Sequence, residues 1–176
     1  MHRSAGARHI LETDRLYLRE LVADDLDGLL DVLGDPVAMR YYPHPFSREE
    51  VAGWIDWSRR SYRENGFGLW GMILKETAEL VGDCGLTIQD VEGERLVEVG
   101  YHLRRSHWHR GLATEAARRC CRWAFDTLDV DFAIALVRAE NRPSAGVAER
   151  VGMRVWRSVD HKGMLHLVYR VERYAD

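Results

Sequence analysis

The amino-acid sequence predicts an α/β (α+β) fold, with a central mixed, mostly antiparallel sheet of about seven strands flanked by about four helices. Two observations carry this. Three strand-like runs, residues 67–75, 79–91 and 95–103, follow one another across the short polar turns Glu76-Thr77-Ala78 and Glu92-Gly93-Glu94, as in an antiparallel meander. Residues 96–127 then read strand, loop, helix and lead into a further strand at 131–138. Such a βαβ crossover is right-handed and leaves its two strands parallel.

The elements follow in order. Leu16 and Leu18, with a slip to Leu21, alternate with polar neighbours as a half-buried strand does. Leu26, Leu29, Leu30 and Leu33 fall on one face of a first helix that Pro36 ends. After the aromatic loop "YYPHPF", Ser47 and Glu50 form a Ser-x-x-Glu capping box ahead of Val51, Trp54, Ile55 and Tyr62, and Asn65-Gly66 stops this second helix. The meander comes next, then a helix over 112–127 and a strand over 130–139. A shorter helix in "PSAGVAERVGM" and two final strands within 153–172 complete the chain.

Composition narrows the function. With 46% hydrophobic residues and six tryptophans, 176 residues suffice for one domain with a sizeable core, expected over 10–176 behind a loose leader at 1–9. The 25 basic residues nearly balance 28 acidic ones, so no global field recruits nucleic acid or a membrane surface. No apolar run approaches the roughly 20 residues that span a bilayer. Cys84, Cys120 and Cys121 suit neither a disulfide framework nor a four-ligand zinc site, and a reducing cytoplasm is the simplest setting.

The stretch "HWHRGLATEA", 107–116, lies at the carboxyl end of a strand and opens a helix. Unpaired N–H groups and a partial positive charge at that helix end attract phosphate, and Gly111 lets the backbone approach it. Arg104, Arg105, His107, His109 and Arg110 surround the same point, and a pyrophosphate is the natural guest. Neither a Walker A loop nor a dinucleotide glycine pattern is present, so ATP and NAD fall back. His102, His107 and His109 lack a metal-ligand spacing, and no metal is expected. The plainer reading, a glycine easing a turn among solvated arginines, stays open for the loop taken alone.

Over roughly 10–172 the chain resembles the GNAT superfamily of N-acetyltransferases, and within it the RimJ/RimL-like branch. The resemblance is carried by "TDRLYLREL", "LVGDCGL", "VEVGYHL", "HWHRGLATEA" and "AENRPSAGVAERVGM" in this order. It implies a sheet splayed between its fourth and fifth strands, 95–103 and 131–138. The acyl-CoA signature Gln/Arg-x-x-Gly-x-Gly/Ala falls on Trp108-His109-Arg110-Gly111-Leu112-Ala113, with Trp108 in place of the first residue. The cofactor implied is acetyl-CoA, held by Tyr101, His102, Leu103, Arg104, by 108–113 with Thr114, and by Asn141 and Ser144.

The implied reaction is acyl transfer to a primary amine, on a protein N-terminus or a small molecule, by direct attack in a ternary complex. An ammonium must lose a proton before it attacks a thioester, and Glu98 is the candidate base. A backbone N–H among Tyr101–Leu103 would polarise the thioester carbonyl. The tyrosine acid of many relatives is absent, since Ala148 stands at its position, and Ser144 of Asn141-x-x-Ser144 is the candidate proton donor. Asn141 also reads as a helix cap, Glu115 as a complement to the helix dipole, and Cys120 and Cys121 as packing residues. Tyr41, Tyr42, His44, Phe46 and Trp70 are candidate acceptor walls, whereas Trp54 reads as core. Two other readings are a catalytically silent acyl-CoA-binding or regulatory domain, and a dimeric scaffold with a vestigial pocket. A homodimer through the terminal strands is a further expectation.

Overall fold

The structure, a computed structural model, describes residues 7–173. The chain opens with a hairpin of β1 (His9–Glu12) and β2 (Leu16–Arg19), where the sequence indicates a single strand. β1 buries only Leu11 fully, too little for a period-2 pattern to show. The expected leader lies largely outside the described residues, and its last member, His9, already belongs to β1. A single 3-10 turn at Ala23–Asp25 leads into α1 (Leu26–Leu33). That turn is fixed by Asp25, whose carboxylate takes both Arg19 Nη atoms, at 2.8 and 2.7 Å, and the Val22 N–H at 2.8 Å.

α1 stops at Gly34, before Pro36. A Cβ at Gly34 would lie 2.6 Å from the Leu30 carbonyl oxygen, so the tight exit requires glycine. α2 (Arg48–Asn65) begins with the expected capping box: the Glu50 N–H donates to Ser47 Oγ at 3.2 Å and the Ser47 N–H to Glu50 Oε2 at 2.7 Å. Gly66, at φ +79°, ends it. Then follow β3 (Leu69–Leu74), β4 (Leu80–Val91), β5 (Glu94–Leu103), α3 (Leu112–Thr127), β6 (Phe132–Arg138), α4 (Arg142–Val151), β7 (Arg154–His161) and β8 (Met164–Glu172).

Among the described residues one sheet of eight strands results, one more than expected, in the order β1-β2-β3-β4-β5-β6-β8-β7. Among the described strands, only β5 and β6 pair in parallel. β4 and β5 pair from Gly82–Leu103 to Val91–Glu94, whereas β5 and β6 share one paired position, Glu98–Ile134. Helices cover both faces. The larger core packs α3 and α4 residues such as Ala117, Cys120, Phe125 and Ala148 against Trp70, Leu86 and Val99. A second core gathers Leu29, Val32, Val51 and Ile55 of α1 and α2 with Leu21 and Met39. Among the described residues, no helix is long and apolar enough to cross a membrane.

Candidate active site

β5 and β6 share a single paired position among the described residues, and beyond it the two strands part and leave an opening in the middle of the sheet. The Arg104 N–H donates to the Val81 carbonyl, so even-numbered residues at this end of β5 turn their backbone groups to β4 and odd-numbered ones turn theirs to β6. The Tyr101 and Leu103 amides therefore face the gap. The Leu103 carbonyl is already taken by Trp108 Nε1 at 2.8 Å, which folds the loop back on the strand end. Glu98 closes the apex: its Oε2 accepts from Thr87 Oγ1 at 3.0 Å on β4, and its Oε1 from the Leu136 N–H at 3.3 Å on β6. Burial raises the pKa of this carboxyl, and the Thr87 and Leu136 donors oppose the rise only in part.

The loop after β5 makes a 3-10 turn at Arg105–His107, and then His109 (φ +60°) and Gly111 (φ +78°) both enter the left-handed region. Gly111 caps α3, whose first-turn amides at Leu112, Ala113 and Thr114 have no intrahelical acceptor. The Leu112 side chain is buried in the core and Thr114 Oγ1 accepts from Arg150 Nε at 3.2 Å, so these two residues offer their amides rather than their side chains. His109 and Arg110 remain exposed.

Not all the basic residues gather there. Arg104 sends its guanidinium to the Leu80 carbonyl at 3.0 Å and towards Asp31 at 3.5 Å, and Arg105 pairs with Asp35 at 3.2 Å. Strand alternation and two acids on the α1 side draw both away from the helix end, so the expectation that Arg104 holds a phosphate is corrected. Arg15 takes part instead. Its Nη1 donates to the Arg110 carbonyl at 2.8 Å and its Nε to Glu115 Oε2 at 2.8 Å, while Glu115 Oε1 also accepts from Thr13 Oγ1 at 2.6 Å. Glu115, read as a dipole complement, ties the β1–β2 turn to α3 as well.

Across the opening, Asn141 Oδ1 accepts the Ser144 N–H at 3.1 Å and caps α4, as its sequence context indicates. Ser144 Oγ donates to the Tyr101 hydroxyl at 3.2 Å, which in turn donates to the Ser144 carbonyl at 2.8 Å. Burial raises the Tyr101 pKa, so the phenol keeps its proton. The position of the missing tyrosine, Ala148, is fully buried.

The acceptor candidates divide. Trp70 is only 1% exposed and packs edge-on against Trp123 of α3, a core residue rather than a substrate wall, because its strand position turns it to the α3 face. His44 is exposed and bonded to Glu50 at 2.7 Å. Phe46 packs on Trp54, with ring centroids 5.6 Å apart. Tyr42 reaches His102 Nε2 at 2.6 Å, and His102 Nδ1 meets Asp83 Oδ1 at 2.7 Å. His102 thus turns its side chain to the α2 side and its backbone to β4, which corrects its expected place on the cofactor. Asp83 was not among the candidates, although an acid inside the otherwise buried strand "LVGDCGL" was a visible signal.

Residues 15–154 match the family model described as the acetyltransferase (GNAT) domain. The chain belongs to the GNAT acetyltransferases. It is therefore an acyltransferase that depends on acetyl-CoA as these enzymes do. It is 32% identical over 170 residues to the protein YkkB of Bacillus subtilis (strain 168), covering 96% of this chain and 99% of that one. To the N-acetyltransferase p20 of Bacillus licheniformis it is 34% identical over 136 residues, 76% of each chain. The solved acetyltransferase from Agrobacterium tumefaciens str. C58 is similar at 29% identity, with a TM-score of 0.80 over 98% of this chain and 97% of that one. In this GNAT chain the groups with chemical use converge on the β5–β6 opening: freed amides, a helix N-terminus, one half-buried carboxyl and a paired serine and tyrosine hydroxyl.

Proposed function

We propose that the chain moves an acetyl group from acetyl-CoA to a primary amine, by direct attack in a ternary complex. The observation that carries this is the opening itself, with the Tyr101 and Leu103 amides on one wall, the α3 N-terminus at its end and Glu98 at its apex. These residues fit acetyl-CoA. The amides of 112–114 would hold the pyrophosphate over Gly111, where a side chain would intrude, with His109 and Arg110 beside it. The Trp108 indole supports the loop, and Asn141, which caps α4, would line the pantetheine side.

Bound acetyl-CoA supplies an activated thioester. Glu98, with its raised pKa, takes the proton that the ammonium must lose, directly or through water, as its nitrogen bonds to the carbonyl carbon. The Tyr101 or Leu103 N–H bonds the carbonyl oxygen as negative charge develops there. As the carbon–sulfur bond breaks, the Ser144 hydroxyl would turn from Tyr101 to donate a hydrogen bond to the leaving sulfur, and the thiolate would take up the second proton that the attacking nitrogen loses. Asn141-x-x-Ser144 in place of a tyrosine supports a position near the RimJ/RimL branch. The test is thiol release from acetyl-CoA with a panel of amines, paired with mass spectrometry of the product. Acetylated amine in step with free thiol supports transfer, whereas binding without turnover would favour the silent acyl-CoA-binding reading.

A further inference from the structure

Several arginines near the opening are matched to acids. Arg15 pairs with Glu115, Arg105 with Asp35 and Arg138 with Glu140, and Arg104 approaches Asp31. Arg118 of α3 and Arg150 of α4 are not: both are exposed, and neither forms an ion pair among the described residues. They nevertheless meet, because Arg118 Nη2 donates to the Arg150 carbonyl. Two cations therefore share this corner of the α3–α4 contact without an acid, an arrangement that a bound anion relieves.

Arg150 is held in place. Its Nε donates to Thr114 Oγ1 at 3.2 Å, and Thr114 belongs to the first turn of α3. On α4, four residues earlier, Gly146 leaves room for the guanidinium: a Cβ built there would lie 3.1 Å from Arg150 Nη1. Glycine inside a helix is destabilising relative to alanine, and here the guanidinium crowds the space an alanine methyl would take. With Nε spent on Thr114, Nη1 and Nη2 have no acceptor among the described residues. A rigid planar fork, anchored at one corner and unspent at the other two, fits the oxygens of a phosphate.

Acetyl-CoA carries phosphate in two places, the pyrophosphate and a 3′-phosphate monoester on the adenosine ribose. The amides of 112–114 suit the first, and the Thr114 hydroxyl anchors Arg150 beside them. We propose that Arg150 binds the 3′-phosphate, with Arg118 adding charge from α3, and that Thr114 and Gly146 are positioning residues for the Arg150 guanidinium. This rests on the acetyl-CoA reading and adds to it a residue that selects coenzyme A over its 3′-dephospho form. A phosphate monoester brings nearly two negative charges and three acceptor oxygens at neutral pH, which the unspent fork and Arg118 complement.

The test needs no turnover. Titration calorimetry measures the affinities of coenzyme A and 3′-dephospho-coenzyme A for the wild type, Arg150→Met, Thr114→Val and Gly146→Ala. The wild type should bind coenzyme A about tenfold more tightly than the dephospho form, as a charge-assisted contact to the extra phosphate warrants. Arg150→Met should bring the two affinities within about twofold of each other, by weakening coenzyme A and leaving the dephospho form unchanged. Thr114→Val and Gly146→Ala keep the arginine but release or displace its guanidinium, so each should narrow the preference in part. Gly146→Ala should do so without lowering Tm, because alanine suits a helix interior better than glycine. That separates the site from the fold if Arg150→Met proves unstable. Equal losses for both ligands in Arg150→Met, or an unchanged preference, would overturn the proposal and assign Arg150 to the pyrophosphate or to the packing of α4 on α3. A wild type that binds both forms equally would overturn the 3′-phosphate assignment alone, whereas one that binds neither would overturn the acetyl-CoA reading and this assignment with it.

Discussion

A carboxyl held half-buried at Glu98, between the Thr87 hydroxyl and the Leu136 amide, costs free energy in its charged form that a neutral side chain of the same shape does not. Its folded pKa lies above the unfolded value of about 4.3, so its contribution to stability is full below that pH and is lost as the pH rises through the folded value. Glu98→Gln removes this loss. Denaturant melts should find the variant at least as stable as the wild type at pH 8, with its relative stability growing as pH rises. Catalysis should move the other way. As the base, Glu98 works only when deprotonated, so kcat/KM should climb through its raised pKa in the wild type, and the variant should lose that limb along with roughly 10²–10⁴ of kcat. A variant that is less stable and fully active would make Glu98 a structural acceptor joining β5 to β6.

Among the elements, α3 depends most on one backbone conformation. Gly111→Ala places a side chain at φ +78°, which costs about 1 kcal/mol or more, roughly 2–4 °C of Tm per kcal/mol in a chain of this size. The new Cβ would meet only Arg15 Nη2 at 3.5 Å, so packing adds little strain. Gly66→Ala is a matched control at φ +79° with nothing within 4 Å. Both should lower Tm alike, but only Gly111→Ala should also weaken acetyl-CoA binding, as titration calorimetry would show. Equal affinities would leave Gly111 an ordinary turn. Much of this was legible, because Ser47-x-x-Glu50, Asn65-Gly66 and Gly111 state their backbone roles locally. The register was legible too: counting outward from the Glu92-Gly93 turn pairs Thr87 with Glu98 and Asp83 with His102. What was not legible needed the third dimension. Arg104 and Arg105 adjoin the glycine loop in sequence yet bond acids on the α1 side, and Arg15, nearly a hundred residues earlier in the chain, holds the loop in their place.

At the scale of the molecule, the proposed cofactor site draws on β5, α3, β6 and α4, and the unfolded chain cannot assemble it. A ligand that binds only the assembled state stabilises it by mass action, about 2.7 kcal/mol at a hundredfold excess over Kd, or roughly 5–10 °C of Tm for a chain of this length. Saturating acetyl-CoA should produce a shift of that order. ATP and NAD present phosphates to the same helix end but have no pantetheine to run between Tyr101 and Asn141, so their shifts should be much smaller. Equal shifts from all three would reduce the site to a polyphosphate-binding helix terminus, and no shift with acetyl-CoA would remove the cofactor assignment. Glu98→Gln should keep the full acetyl-CoA shift while losing turnover, because its carboxyl lies at the apex of the opening and the pyrophosphate amides lie at the far end of β5. Loss of both together would mean that Glu98 holds the opening itself in shape.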